Sequence, residues 1–340
     1  MEDATVRAVC EMFDLGTPRG APSAVDGGLT NRMWRFETDS GIFAVKEMNR
    51  DLHRTDHIAW YDRACSLEQG AFNVGVRMPR PVPVASTGRC LGEISGRGGE
   101  PPLTVRVHEW VEGEKLDNGT AYPVDVVRRV ATILAQIHAL HMRADAAAAD
   151  ALPVLGREHW LARAEQTQRV DTELAKDLRG LLPAIAELEA YLTMAHDDAT
   201  PLLLSHRDAD MKNFMRTAAD ELLLVDWDQA GPVHPRHDVA NHALVWAGVH
   251  LGDPDATNAR AYVDAYRRAG GDDDLFRATD LAELVSLRLG WFDFNVRRAL
   301  GERVRDAADR QLGANVVRRN VEQLPRFARS LGAWIAVLGV

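Results

Sequence analysis

Residues 202–217 read "LLLSHRDADMKNFMRT", a run of apolar residues that passes directly into a dense group of polar ones. A buried strand is rarely followed by so polar a turn unless the turn has a functional role. Within it His206, Asp208 and Asn213 follow the pattern H-x-D-x-x-x-x-N, and Asp226 comes 13 residues after Asn213, at the end of the apolar segment "ELLLVD". The sequence therefore predicts a strand that anchors a loop rich in oxygen ligands.

This spacing suits phosphoryl transfer. That reaction needs a carboxylate near the incoming hydroxyl group and hard oxygen ligands that hold Mg²⁺ against the phosphates. The strand-end carboxylate of Asp226 and the amide oxygen of Asn213 are ligands of this kind. H-x-D-x-x-x-x-N alone arises by chance in roughly a few per cent of similar chains. The strand-end aspartate and an upstream lysine, found together with it, make a chance match improbable.

That lysine is Lys46, in the middle of the apolar segment "FAVKEM". An unpaired buried ammonium is costly, so Lys46 must point into solvent or reach a negative partner. A solvated strand face is the simpler interpretation of this segment taken alone. Glu68, on a helix predicted over 56–72, is the candidate partner that would hold Lys46 towards an anionic ligand, but Asp62 lies on the same helix.

Composition narrows the classes of function. The chain has 340 residues, 46% of them hydrophobic and 26% charged, which is an ordinary globular composition. Its length is enough for two domains or for two lobes that share one cleft. Its formal charge of −10 disfavours nucleic acid and anionic membrane surfaces and suits a cationic small molecule. No apolar run approaches the ~20 residues that span a bilayer.

The cysteines are few and widely spaced. Cys10, Cys65 and Cys90 contain no C-x-x-C pair, so the sequence indicates neither a disulfide framework nor a thiolate zinc site. A reducing cytoplasm fits this usage best.

The pattern of elements predicts an α+β fold with two lobes. A first helix, a hairpin over 33–48, the helix over 56–72 and three further strand segments precede about Glu112. After that point helical periodicities surround a single short apolar strand. We therefore expect a small antiparallel-sheet lobe over 1–111 and a larger, mainly helical lobe over 112–340.

The chain resembles the protein-kinase-like fold, and most closely its small-molecule branch of aminoglycoside phosphotransferases and choline kinases. The resemblance rests on residues in a fixed order: Lys46, Glu68, His206, Arg207, Asp208, Asn213 and Asp226. Further segments are similar to motifs of that branch: "GGLTNRMWRF" to its GG-x-[ST]-N nucleotide loop, "VHEWVEG" to its hinge, "LAQIHALH" to its L-x-x-[IL]-H helix, "VDWD" to its counterpart of D-F-G, and "PRHDVAN" to its D-[LV]-A segment.

The similarity covers about 24–245 and has two departures. Arg207 stands where most aminoglycoside kinases have glycine, and no A-P-E segment or activation loop follows "DWD". The resemblance implies a bilobal fold that binds ATP and Mg²⁺ and phosphorylates a small molecule.

It also implies roles for the site residues. Asp208 would orient the substrate hydroxyl or accept its proton, while Asn213 and Asp226 would ligate Mg²⁺. Lys46, held by Glu68, would contact the α- and β-phosphates.

The nucleotide contacts implied by the resemblance are mostly made by the backbone. Gly28, Thr30 and Asn31 would cover the triphosphate, and the Glu109 carbonyl and Val111 amide would contact the adenine edge. Because the hinge uses backbone groups, GTP stays open beside ATP.

Three other residues receive less direct roles. His206 would brace the loop and Asp238 would anchor the catalytic segment, whereas Asp228 would assist metal or substrate binding.

The acceptor site is the least determined part. Trp291 would stack on a sugar ring or, more simply, pack in the core, and Asp293 or Glu283 would pair with an ammonium group.

These patterns predict an ATP-dependent O-phosphotransferase, acting alone or as a homodimer, that modifies an antibiotic in resistance or biosynthetic self-protection. A kinase of a small metabolite, such as an amino alcohol or a sugar, is the alternative enzyme. A nucleotide-binding pseudoenzyme that docks on a protein partner is the alternative of another class. The presence together of Lys46, Asp208, Asn213 and Asp226 argues against it.

Overall fold

The structure is a computed structural model. It describes residues 1–25, 31–48, 55–95, 102–144, 152–196, 201–272, 276–302, 304 and 306–339, without the side chains of 55–58. The chain divides into two compact units: Met1–Thr120, Ile133–Met142 and Leu204–Gly231 form the first, and Ala121–Thr132, Arg143–Leu203 and Pro232–Val340 form the second. The lobe boundary expected at 111–112 stays a prediction.

An antiparallel sheet organises the first unit. Its strands in the described residues are β1 (Ser23–Val25), β2 (Arg32–Glu37), β3 (Ile42–Glu47), β4 (Pro81–Val82), β5 (Leu91–Ile94) and β6 (Leu103–Glu109). They lie in the order β1-β2-β3-β6-β4, and β5 also pairs with β6. The antiparallel pairing of β2 with β3 confirms the predicted hairpin.

Alternation along the central strands separates a core face from a polar face. On the core face, Val45, Val105 and Val107 are at most 1% exposed and pack in one cluster with residues of helix α1 (Asp3–Met12). The opposite face carries Lys46 on β3 and Arg106 on β6, which stand directly across from each other in the ladder. The sheet thus places two cationic side chains next to one another.

Helix α2 (Thr55–Asn73) follows β3 and agrees with the predicted helix. A disulfide between Cys65 of α2 and Cys90, just before β5, joins the helix to the sheet, with the two Cα atoms 6.1 Å apart. Cys10 is a buried thiol. The prediction that the cysteines form no disulfide is wrong for this pair, because folding brings together two residues that are 25 positions apart in the sequence.

We expect the disulfide to stabilise the protein measurably. Closing a loop of this length in the unfolded chain contributes about 3 kcal/mol in the chain-entropy model. Thermal unfolding in oxidising buffer should therefore have a higher midpoint than unfolding in excess reductant. The Cys90→Ser variant should unfold at one midpoint in both buffers, and a difference that persists in this variant would contradict the assignment.

Five further strands, each of two or three residues, follow β6 in the described part of the chain. They are β7 (Glu114–Lys115), β8 (Leu203–Ser205), β9 (Phe214–Arg216), β10 (Leu222–Leu224) and β11 (Gly231–Val233). In the first unit β9 lies between β10 and β7. The expectation of a single strand after Glu112 is wrong, because strands of two or three residues are too short to show a periodic pattern.

The remaining elements are helices. Within the described residues they are α3 (Val124–His138), α4 (Gly156–Gln168), α5 (Thr172–Ala195), α6 (Pro235–Trp246), α7 (Ala256–Arg268), α8 (Ala282–Ala299) and α9 (Ala307–Val337). In the second unit α5 packs against α4, α8 and α9. None of the helices described is both long and apolar enough to cross a membrane.

Candidate active site

Lys46 lies between two aspartates of the "DWD" segment. Its Nζ is 2.7 Å from Asp226 Oδ1 and 2.6 Å from Asp228 Oδ2. The Lys46 side chain is 11% exposed, so the simpler interpretation of a solvated strand lysine is wrong. Asp226 is 47% exposed, whereas Asp228 is 11% exposed. The two carboxylates therefore differ in how accessible they are to an incoming ligand.

Lys46 and Asp226 both favour their charged forms in this contact. Burial lowers the pKa of Lys46, but the Asp228 and Asp226 carboxylates raise it above its ordinary value. Burial raises the pKa of Asp226, yet the Lys46 ammonium outweighs burial and brings this pKa to about 2. Asp226 is consequently ionised at neutral pH, as a metal ligand must be.

The Asp226 backbone has an unusual conformation. Its φ of 65° and ψ of 68° lie in the left-handed region, which is uncommon for a residue other than glycine. This conformation follows directly after strand β10 and Val225 and begins the 3-10 turn Trp227–Gln229. Such backbone conformations are concentrated at functional sites.

Glu68 is not paired with Lys46. Its carboxylate accepts a short hydrogen bond from Arg106 and lies 2.9 Å from His108 Nε2. Burial raises the pKa of Glu68, but Arg106 and His108 together lower it to about 2. The expected ion pair between Lys46 and Glu68 is therefore wrong. Arg106 and His108 lie two residues apart on one face of β6, and each contacts one oxygen of the Glu68 carboxylate.

Asp62, the other acidic candidate on α2, faces solvent instead. Both of its oxygens accept hydrogen bonds from Arg89 Nη2, at 3.1 and 3.0 Å, and its side chain is 46% exposed. Glu68 is 1% exposed, so the two acids of the helix have different environments.

Asp228 is the centre of a hydrogen-bond network. Its Oδ2 accepts from Lys46 and, at 2.7 Å, from Asn31 Nδ2, and its Oδ1 lies 3.3 Å from Arg106 Nη1. Its backbone carbonyl accepts from Trp60 Nε1 at 3.3 Å. A carboxylate held in this way organises its neighbours, which argues against the expected substrate contact through Asp228.

Histidines brace the loop that carries Asp208. His206 is fully buried; its Nε2 lies 3.2 Å from the Val225 carbonyl, and its Nδ1 accepts the Asp208 amide at 3.3 Å. A neutral imidazole with its proton on Nε2 satisfies both contacts. His138 of α3 lies 3.2 Å from Ser205 Oγ, directly before this loop. These contacts fix the backbone that presents Asp208.

Asp208 and Asn213 are linked side by side. Asn213 Nδ2 donates to the Asp208 carbonyl at 2.7 Å and to Asp208 Oδ2 at 2.8 Å. Lys212 Nζ is 2.9 Å from Asp208 Oδ1, so this lysine is paired with the carboxylate on its own loop. The Asn213 carbonyl accepts the Val225 amide at 2.8 Å, so the loop is also tied to the residue before Asp226.

This donor set fits Mg²⁺. Because the Asn213 amide nitrogen is used by Asp208, its amide oxygen is the end that would ligate a metal. Asp226 offers an ionised, half-exposed carboxylate. In the part of the chain that the structure describes, no three His, Cys, Asp or Glu residues form a closed metal site. Mg²⁺ in nucleotide enzymes commonly takes one or two protein ligands and completes its shell with phosphate and water.

Arg207 stands where most aminoglycoside kinases have glycine, and its backbone conformation is one that favours glycine. Its φ is 62°, a left-handed conformation that glycine adopts without strain. The Arg207 guanidinium lies 5.9 Å from the centre of the Trp60 ring, a cation–π contact that helps to hold this conformation. Trp60 also fills the space where a side chain at Gly231 would sit, since a Cβ there would be 2.5 Å from the ring.

The nucleotide contacts implied by the resemblance stay predictions. Gly28 and Thr30 lie outside the described residues. The hinge backbone is tied to its neighbours, because the Glu109 amide donates to the Arg80 carbonyl and the Trp110 amide to the Ile42 carbonyl. The Glu109 carbonyl and the Val111 amide are the groups proposed for the adenine edge.

The acceptor candidates belong to the second unit. Trp291 on α8 is 43% exposed and stacks on Phe294 with ring centroids 5.4 Å apart, so core packing, its simpler interpretation, is wrong. Asp293 is held by two guanidinium groups, 3.3 Å from Arg163 Nε and 2.7 Å from Arg297 Nε, and it also lies 2.7 Å from His159 Nε2. Its expected role as an acceptor for a ligand ammonium is not supported, since its charge is already balanced.

Asp238 is also in the second unit. It is fully buried in the first turn of α6 and lies 3.2 Å from His242 Nδ1. Its anchoring role stays a prediction.

Two residues of the site were missed by sequence reasoning. Arg106 is a lone cation in the apolar segment "LTVRVHEW", so the argument applied to Lys46 applies equally to Arg106 and would have found it. Trp60 had no comparable signal, because an aromatic residue on a helix is more often part of the core.

The arrangement of Lys46, Asp208, Asn213 and Asp226 is one that phosphoryl transfer can use. A family model described as the APH phosphotransferase enzyme family matches residues 23–271. The chain belongs to this family. The resemblance to aminoglycoside phosphotransferases and choline kinases is thereby confirmed, as is the prediction of a phosphotransferase. No curated protein matches this phosphotransferase in a sequence search.

Several solved structures share the fold of this phosphotransferase. The amicoumacin kinase hAmiN, in complex with AMP-PNP, Ca²⁺ and Ami, is 13% identical with a TM-score of 0.65, covering 95% of this chain and 93% of its own. A spectinomycin phosphotransferase with ADP and spectinomycin is 10% identical with a TM-score of 0.64, covering 95% and 98%. A microcompartment-associated aminopropanol kinase is 18% identical with a TM-score of 0.63, covering 97% and 99%. These similarities confirm the predicted α+β, protein-kinase-like fold.

Proposed function

We propose that this phosphotransferase transfers the γ-phosphoryl group of MgATP to a hydroxyl group of a small molecule, and that the acceptor is an antibiotic. The family membership supports the reaction class. The similarity in fold to an amicoumacin kinase and to a spectinomycin phosphotransferase supports the acceptor class.

One observation carries the proposal. Lys46 Nζ lies 2.7 Å from Asp226, although the two residues are 180 positions apart in the sequence. Asp208 and Asn213 are held on a loop that is hydrogen-bonded to the residue preceding Asp226. A cation for the phosphates, two metal ligands and a carboxylate for the hydroxyl group therefore come from one compact unit.

Each residue has a task in the proposed reaction. Asp208 binds the acceptor hydroxyl and takes its proton as the oxygen attacks the γ-phosphorus, while the bond from the γ-phosphorus to the bridging oxygen breaks and ADP leaves. Asp226 and Asn213 would hold Mg²⁺, which when bound neutralises charge on the phosphate oxygens. Lys46 would donate to the α- and β-phosphates. The loop contacts of His206 keep Asp208 in place throughout.

A metabolite kinase is the second candidate, supported by the similarity in fold to the aminopropanol kinase. Both acceptor classes contain amines. The charge balance around Asp293 means that neither class can be assigned an ammonium contact at that residue.

An acceptor panel tests the proposal. Purified protein with Mg²⁺ and ATP, or GTP in parallel, is incubated with aminoglycosides, spectinomycin, cationic peptide antibiotics, amino alcohols and sugars, and ADP or GDP release is measured with mass spectrometry of the product. We expect release above the acceptor-free rate with an antibiotic. Release with an amino alcohol or sugar alone would favour the metabolite kinase. Nucleotide binding without turnover on any acceptor would favour the pseudoenzyme and contradict the proposal.

A further inference from the structure

A buried chain of charged groups runs beneath the candidate site. Arg106, at 1% exposure, donates to Glu68 through Nη2 and lies 3.3 Å from Asp228 Oδ1 through Nη1. Asp228 in turn binds Lys46 through its other oxygen. Glu68 and Lys46 are therefore connected through two intermediates, Arg106 and Asp228, and not by direct contact.

The sheet register explains why this chain needs Asp228. Lys46 and Arg106 are directly opposite each other on β3 and β6. Like charges at opposite positions of an antiparallel pair destabilise the sheet unless an anion lies between them. Asp228 meets this need, because one oxygen binds each cation. The position of the Lys46 ammonium is thus coupled to that of the Arg106 guanidinium.

Arg106 is suited to this link. A guanidinium presents several donors in a rigid plane, so it can bind two carboxylates in fixed directions, which an ammonium on a flexible stem does less well. Burial lowers the pKa of Arg106, but Glu68 and Asp228 raise it above its ordinary value, so the group is charged. Glu68 cannot hold Lys46 directly without giving up a contact with Arg106 or His108.

We propose that Arg106 is a positioning residue of the phosphotransferase: held by Glu68, it fixes Asp228, and Asp228 fixes Lys46 for the nucleotide phosphates. The inference rests on the proposed function for the reaction that it serves. Its test uses nucleotide binding, so it can be decided even if no acceptor is found.

The test separates positioning from mere structural support. Removing one partner of a buried ion pair leaves an uncompensated charge, whereas replacing both partners by apolar residues is often tolerated. We therefore compare Arg106→Met with the double variant Glu68→Met/Arg106→Met, measuring the thermal midpoint and the affinity for AMP-PNP over a Mg²⁺ titration.

We expect Arg106→Met to lower both the midpoint and the affinity, the affinity by about tenfold or more, the range associated with charged hydrogen bonds. The double variant should recover the midpoint but keep the weak affinity. Recovery of both quantities would reduce Arg106 to a structural role and overturn the proposal.

Two further variants complete the design. Arg106→Lys keeps the charge without the two-way geometry, so its affinity should lie between those of the wild type and Arg106→Met; it also decides the question if both methionine variants fail to fold. Wild-type affinity in a folded Arg106→Lys protein would contradict the need for a guanidinium.

Arg89→Met is the control variant. It removes the exposed ion pair between Arg89 and Asp62, which lies on α2 as Glu68 does, and it should leave the affinity within about twofold because surface pairs contribute little.

Discussion

Replacing Asp208 with asparagine should lower kcat by about 10²- to 10⁴-fold, the range that general acid–base groups contribute, while leaving nucleotide affinity nearly intact. The change keeps the size of the side chain but removes the group that takes the proton of the acceptor hydroxyl. Asn213 donates to the Asp208 backbone carbonyl as well as to its side chain, so the loop keeps one of these two contacts. The measurement is ADP release with the acceptor that the panel identifies, beside AMP-PNP affinity.

Asp210→Asn is the matched control for this variant. Asp210 is on the same loop and lies 3.8 Å from the same lysine, Lys212, but has no task in the proposed reaction. Its kcat should stay within a few-fold of the wild-type value, since a 3.8 Å ion pair with a half-exposed lysine contributes little. If Asp208→Asn lost affinity and turnover to the same extent, Asp208 would be a residue of the nucleotide site and not the proton acceptor.

The local parts of this site could be predicted from the sequence. His206, Asp208 and Asn213 lie within eight positions, and their spacing on one loop is fixed by the chain itself. Asp226 follows a run of apolar residues that predicts a strand, so its place at a strand end was also visible. The hairpin of β2 and β3 has the same origin, because alternation and a turn are short-range signals.

The partners of the charged groups could not be predicted in the same way. Lys46 meets Arg106 only because β3 pairs with β6 in one register, and a shift of one residue would turn one of them to the other face. Whether Glu68 or Asp62 faces the sheet depends on the rotation of α2 about its axis. These are properties of packing between segments far apart in the chain, and the pairing of Cys65 with Cys90 is another.

Glu68 pairs with Arg106 because the sheet buries two cations side by side. A buried cation needs an anion, and Lys46 on β3 and Arg106 on β6 both have this need. Three carboxylates balance these two positive charges. Lys46 pairs with Asp226 and Asp228, and Arg106 pairs with Glu68 and Asp228. Counting every charged residue in an apolar strand would have raised Arg106 as a competitor for Glu68.

The difference between the two aspartates of "DWD" leads to the second large effect. Asp226 is the accessible one and Asp228 the enclosed one, so a metal that arrives with the nucleotide should meet Asp226. The pKa of Asp226 is about 2, so protonation does not compete with a metal at neutral pH. Substitution of Asp226 should therefore act on metal dependence, and substitution of Asp228 on the position of Lys46.

We expect Asp226→Asn to abolish the Mg²⁺ dependence of AMP-PNP binding and to lower turnover by a factor on the order of 10³, since a catalytic metal stabilises developing charge by several kcal/mol. The asparagine keeps the shape of the side chain but not the charge that attracts the metal, and it leaves Lys46 with Asp228 as counter-ion. Asp220→Asn, at a 68% exposed position just before β10, is the control and should keep the wild-type Mg²⁺ titration. An Asp226→Asn protein that still bound AMP-PNP more tightly with increasing Mg²⁺, at wild-type half-saturation, would place the metal on other ligands and remove Asp226 from the mechanism.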